Sequence, residues 1–434
     1  MTGEGEAVGT GKAVGTGHDT QDAAETAREA GTGEDSGGTD RSDGLGGSTG
    51  DGDDVMTTTE QAACTALTAF TGDARPYAGG NPYADYRRAE LPFAGLVDLA
   101  DRRLGAGVIA ATDEFFAERE NLLVPEPAVF DPGRFGHKGK IMDGWETRRR
   151  RGASAQVPHP AADDHDWALV RLGVPGVIRG IVVDTAHFRG NHPQAVSIAA
   201  TAHSMSAAPE DLLDPGVEWT ELVSRTPVGG HAENAFAIRV ERRFTHLRVR
   251  QHPDGGIARL RVYGEVAPDP GWLAELGTFD LVALENGGTV EDASDRFYSP
   301  PEHTILPGRS RKMDDGWETR RRRDTGHDWI RYRLVGQGVI RAVEIDTAYL
   351  KGNSAGWAAL WVRDGDDGDA EWTQLIPRVR LQPDSVHRFL VNPIPATHVR
   401  IDIFPDGGIA RLRLHGSLTE QGAARLAERI EAIS

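Results

Sequence analysis

A chain of 434 residues with a single cysteine, Cys64, can build neither an intramolecular disulfide framework nor a metal site of several thiolates. It has no run of about 18 apolar residues, which excludes a membrane-spanning helix. Its opening residues, MTGEGEAVGTGK, lack a basic stretch followed by an apolar one, so no secretory leader is expected. A Gly-rich phosphate loop, a GxSxG elbow and the HxxxH or HExxH spacings of helical metal sites are missing too. These absences point to a cytoplasmic protein without a membrane partner, with no metal and no other cofactor.

Apolar residues are also few, at 38% against 26% charged, and the net charge is -18. Part of this is local. Residues 1–54 hold 13 Asp/Glu and 3 Lys/Arg, which is -10 of the -18, and 15 glycines with no aromatic and no Ile. Such a segment cannot bury enough apolar surface to offset the entropy of ordering. Residues 1–85 are therefore expected to be a disordered acidic tail and its lead-in. The tail is either a regulatory appendage or a stretch ahead of a start at Met56. The rest of the chain is only mildly acidic, so net charge says little about partners.

What the chain does have is a duplication. MDGWETRRRR at 142–151 recurs as DDGWETRRRR at 314–323, offset by 172. HDW at 165–167 and IVVDTAHFRGN at 181–191 recur as HDW at 327–329 and VEIDTAYLKGN at 343–353, offset by 162. PDGGIARLRVYG at 253–264 recurs as PDGGIARLRLHG at 405–416, offset by 152. Residues 98–125 align with 280–307 at an offset of 182, so the order holds and the loops shorten. Within each copy VIRGIVVDT, THLRVRQ and IARLRVYG, or their counterparts, alternate apolar and polar residues, which is the period of half-buried strands. PDGG predicts a hairpin between strands 245–251 and 257–264. Helix is expected at 418–432 and around 113–120, and a linker at 265–277. The fold class is all-β: two tandem jelly-roll sandwiches, at 90–266 and 278–418, followed by a C-terminal helix at 419–434.

Chemistry is concentrated in DGWETRRRR and the HDW that follows it. In an extended segment Asp143, Trp145 and Thr147 face one way, and Glu146, Arg148 and Arg150 the other. The plain interpretation is a buried Trp145 beside a solvated Arg/Glu ladder. The near-identity of the two copies argues for more than a ladder. Phosphate or nucleic-acid contact is disfavoured, because acids flank each Arg run and no aromatics interleave it. A small carboxylate suits an Arg fork equally well.

MDGWETRRRR, HDWALVRLGVPGVIRGIVVDTAHFRGN and PDGGIARLRVYGE together resemble the allantoicase family, over roughly residues 90–418. The resemblance implies two galactose-binding-like jelly rolls and hydrolysis of allantoate to ureidoglycolate and urea in purine catabolism. A non-catalytic carbohydrate- or ligand-binding jelly roll is the alternative, and a scaffold protein the third class. Allantoate carries one carboxylate and two ureido groups on one carbon, so its site needs an anchor, acid/base groups and acceptors for urea N–H. The residues expected to act are Asp143, Glu146, His165 and Asp166 in catalysis, with Asp166 orienting His165. Arg148, Arg179, Asp184 and Trp145 are expected to hold substrate. Their equivalents in the second copy are Asp315, Glu318, Arg320, His327, Asp328 and Asp346. That copy departs from the first at Asp314, Gln337 and Ser354, which stand where Met142, Pro175 and His192 stand. Equal competence of the halves is therefore not expected. The only partners anticipated are the small substrate and further copies of the chain in a homo-oligomer.

Overall fold

The structure, a computed structural model, describes residues 63–365 and 371–434. Residues 1–62 of the expected tail lie outside them. In the first repeat the strands are β1 (Cys64–Ala66), β2 (Gly107–Ala111), β3 (Asp166–Asp184), β4 (Ala195–Thr201), β5 (Thr220–Pro227), β6 (Glu233–Ile238), β7 (Arg243–His252) and β8 (Arg259–Val266). The second repeat contributes β9 (Thr289–Ala293), β10 (Asp328–Asp346), β11 (Trp357–Arg363), β12 (Thr373–Arg380), β13 (Val386–Leu390), β14 (Pro395–Phe404) and β15 (Arg411–Leu418). Helices are few: α1 (Pro209–Leu213), α2 (Pro270–Leu276) and α3 (Glu420–Glu431).

The key to each sandwich is one 19-residue strand shared by both sheets. The first half of β3 lies between β2 and β7, and β4 and β5 extend that sheet. The second half lies between β6 and β8, with β1 on the outer edge of β6. The strand folds back between the halves, where the register against β7 jumps from Phe244–Gly176 to His246–Arg171. Gly176 permits this, since a Cβ there would sit 2.5 Å from the Glu265 carbonyl oxygen. β10 repeats the device, with a jump between Arg333 and Gly338.

Folding back brings both ends of β3, Asp166 and Asp184, to one end of the sandwich. It also overturns the expected hairpin. The strands on either side of PDGG do not pair with each other, because β7 is bonded to the first half of β3 and β8 to the second. PDGG turns the chain from one sheet into the other, and Gly256–Ile257 pairs with Trp145–Glu146. The helix expected around 113–120 is a 3-10 turn at Arg119–Leu123. The expected linker contains α2, which begins after Asp269, whose carboxylate accepts from Gly271 and Trp272 N–H.

Trp145 and Trp317 are fully buried at matching places, each indole N–H donating to a carbonyl, of Asp113 at 2.7 Å and Asp295 at 2.8 Å. One apolar cluster runs through both repeats. α3 joins it through Leu426 and Ile430, one turn apart. Its N-cap Thr419 accepts from Gly422 N–H and donates to the Gln337 side-chain oxygen at 2.6 Å. Residues 63–85, assigned above to the lead-in, pack on the first repeat, where β1 pairs with β6.

Candidate active site

The duplication provides its own control: contacts present in both copies build the fold, and those in one copy single it out. Most of DGWETRRRR is of the first kind. Arg148 grips Asp113 at 2.6 Å and lies over Phe115, as Arg320 grips Asp295 at 2.7 Å over Phe297. Arg150 pairs with Asp166 at 2.6 Å, as Arg322 pairs with Asp328 at 2.7 Å. The other partner of each Asp is a hydroxyl, of Thr112 at 3.0 Å and of Ser294 at 2.9 Å. Near-identity of the motifs thus reflects identical scaffolding.

Several expected roles fall with this. Trp145 is fully buried in the core, with no face open to solvent. Arg148 is occupied by Asp113. Arg179 lies at the opposite end of the sandwich, tied to Glu241 and, at 2.8 Å, to Glu265. Those carboxylates raise its pKa further. Asp166 does not orient His165, because neighbours on an extended chain point to opposite sides. Asp166 turns inward to Arg150. His165 sits outside it, with Nδ1 2.8 Å from the Asp163 carbonyl oxygen and its ring 5.4 Å from that of His252. His327 likewise approaches Asp402 at 3.4 Å, not Asp328.

Three expected residues do meet at the loop end of the first repeat. Asp143 accepts from the Val129 N–H and from the buried Arg259, both at 2.8 Å. Glu146 is opposite Gly256, and its carboxylate accepts from Asn191 at 2.9 Å. Burial raises its pKa against that hydrogen bond. Asp184 closes β3, and its carbonyl accepts from Ala258 N–H at 2.8 Å. Its Oδ1 accepts from Tyr86 O–H and Ala186 N–H, both at 2.7 Å. Burial pushes its pKa up to about 6. Among the described residues no cation lies within ion-pair distance of Asp184, whereas its counterpart Asp346 has Arg309 at 3.5 Å.

The sequence hid the surroundings of Asp184. Tyr83 comes from the lead-in and Tyr86 is the residue just after it, in a stretch with no counterpart in the second repeat. Tyr83 packs edge-on against His187 with centroids 4.6 Å apart, and Phe130 stacks on His187 at 5.2 Å. Both His187 and His231 adopt left-handed backbone angles, φ 68° and 53°. Such angles are costly for residues other than glycine. The His187 N–H donates to His231 Nδ1 at 2.9 Å, so His231 carries its proton on Nε2, 3.4 Å from Asp85. Burial first, then Arg189, holds the pKa of His231 down to about 4. Burial lowers that of His187 as well. His187 Nε2 lies 3.1 Å from the Ala128 carbonyl, so the neutral ring donates there and leaves Nδ1 as an acceptor. The second repeat keeps the left-handed angles but places Tyr349 and Asp384 at these positions, with Tyr349 N–H donating to Asp384. The only hint in the sequence was the departure of HFRGN from YLKGN.

Within the Arg run two members, Arg151 and Arg149, make no ion pair among the described residues, and Arg149 is the one whose charge acts on the site. Its neighbours on both sides are bound to Asp113 and Asp166, while its charge acts on Glu146 and Asp254. Among the described residues no group of three or more His, Cys, Asp or Glu is spaced to hold a metal ion. No helix among them is long and apolar enough to cross a membrane.

The family model of the allantoicase repeat matches this chain twice, at residues 97–267 and 279–419. A probable allantoicase of Streptomyces coelicolor is 71% identical over 366 residues, covering 84% of this chain and 97% of that protein. One from Nocardia farcinica is 51% identical over 340 residues, covering 78% of this chain and 99% of that one. Among solved structures, the crystal structure of allantoicase from Saccharomyces cerevisiae matches with a TM-score of 0.62 at 31% identity, over 74% of this chain and 92% of that one. Two jelly-roll repeats, matched in sequence and in three dimensions, leave one assignment: the chain belongs to the allantoicase family.

Proposed function

We infer that the protein hydrolyses allantoate to ureidoglycolate and urea, breaking a C–N bond of a linear amidine in purine catabolism. Family membership spanning both repeats carries this. Urea release from allantoate by the purified full chain, with and without EDTA, tests it. Folded protein that releases no urea under either condition overturns it.

For the site we propose the loop end of the first repeat. The supporting observation is the pair of half-buried carboxylates there: burial pushes the pKa of Asp184 up to about 6 and raises that of Glu146 above the ordinary carboxylate value. A carboxyl that holds its proton more tightly can give one as well as take one. One takes the proton of a ureido N–H while the other protonates the nitrogen leaving as urea. The central carbon becomes a C=N species, to which water adds to give ureidoglycolate. Arg149 holds the substrate carboxylate, and His187 Nδ1 accepts a urea N–H. Glu146→Gln is expected to lower kcat by about 100- to 10,000-fold. Arg149→Ala is expected to raise KM by about 10- to 100-fold with kcat largely kept. A near-normal kcat for Glu146→Gln moves the chemistry elsewhere. The setting proposed is a cytoplasmic homo-oligomer, which cell fractionation and light scattering test. Use of one half-buried thiol, Cys64, and no disulfide supports the compartment.

A further inference from the structure

The corresponding end of the second repeat has an open pocket of about 500 Å³, lined by His327, Trp357, Arg378 and Phe404 among others. The hydrolysis proposed above uses none of these residues. Arg378 stacks its guanidinium on Phe404, 3.5 Å from the ring centroid, and Arg380 lies 5.4 Å over Trp357. Among the described residues neither arginine has a carboxylate within ion-pair distance, although Arg320 and Arg322 of the same repeat are both paired. The nearby Asp402 is already engaged. It accepts from Arg400 at 2.7 Å and from the Trp361 indole at 2.9 Å.

The first repeat has nothing equivalent. The register Trp357–Phe404 and Trp357–Arg380 corresponds to Ala195–His252 and Ala195–Pro227. Arg225, at the place of Arg378, donates to the Ala162 carbonyl at 2.5 Å. The second copy therefore differs at one spot by two aromatic faces and an added cation, with a guanidinium fork that has no acceptor among the described residues. A fork of that kind matches a carboxylate in two places at once. An exposed indole beside it takes a flat ring. Trp357 is 40% exposed, large for an aromatic inside a sheet.

We propose that this end of the second repeat is a binding site for a planar organic anion, a flat ring bearing a carboxylate, separate from the hydrolytic site. Orotate is a suitable probe, with uracil as the ring without the carboxylate and acetate as the carboxylate without the ring. Calorimetry on the full chain is expected to show one saturable orotate site, at least about tenfold weaker for uracil and for acetate. Arg378→Ala and Trp357→Ala are each expected to weaken orotate binding by about tenfold or more, with urea release from allantoate unchanged. Arg378 is exposed, so its variant tests the site even where Trp357→Ala fails to fold. Absence of saturable binding overturns the proposal, as does binding that survives both substitutions. Loss of orotate binding in Glu146→Gln would assign the probe to the hydrolytic site. A change in the mass of Arg378→Ala by light scattering would make the pocket a contact between copies. Either result overturns the proposal too.

Discussion

Asp184 holds a charge that the fold disfavours. Its pKa rises from 3.8 to about 6 on folding, so the folded chain holds that proton more tightly than the unfolded one. Stability from this group is full below about pH 4, falls as pH rises, and is lost above about pH 6, a loss of about 3 kcal/mol. Both hydrogen bonds to the side chain end on Oδ1, which asparagine retains. Asp184→Asn should therefore melt higher than wild type at pH 8 and match it at pH 4, while turning over little or no allantoate. Thermal melts at the two pH values check the first half and urea release the second. A variant that is less stable at pH 8 would mean the charge is compensated by a group outside this account.

At the scale of elements, the paired motifs separate scaffold from chemistry. Arg148 and Arg320 make the same ion pair, an exposed guanidinium on a largely buried carboxylate that also accepts backbone N–H groups, worth about 1 kcal/mol. Arg148→Ala and Arg320→Ala should lower stability by similar small amounts and leave kcat within about twofold. A collapse of kcat in Arg148→Ala alone would restore it as the substrate anchor. Trp145 and Trp317 fill equivalent core positions, so replacing either by alanine should cost about 3–5 kcal/mol in denaturant unfolding. At the fold-back of β3, Gly176→Ala has no room for its Cβ and should cost about 1–3 kcal/mol. These elements were legible in the sequence because strand alternation and duplicated motifs are local patterns. The crossing at PDGG was not, and was misread as a hairpin, because PDGG fits a tight turn within a sheet as well as a crossing between two.

Across the whole molecule the two repeats share one core. Arg103 donates to His303 at 3.1 Å across the seam, and Arg243 N–H donates to the carbonyl of Ile433 just beyond α3. Calorimetric melting of the full chain should give a single transition for residues 63–434, and Leu426→Ala should lower its midpoint, at a cost of about 2–5 kcal/mol. Two resolved transitions, only one of them shifted by Leu426→Ala, would show that the repeats unfold separately.

The residues alone determined the duplication, the all-β class, the position of the buried Trp in each copy, and the family. The first three are carried by spacing and repetition along the chain, the family by the motifs that resemble it. They also marked Asp143, Glu146 and Asp184. What they left open was which charges are spent. Arg148, Arg149 and Arg150 look alike in sequence, and only the packing of Asp113 and Asp166 against the motif leaves Arg149 without an ion pair among the described residues. Tyr86 and Asp184 are 98 residues apart and meet only because the lead-in lies over the end of β3. The pKa of Asp184 depends on how much water that covering removes, a property of the assembled fold and of no segment taken singly.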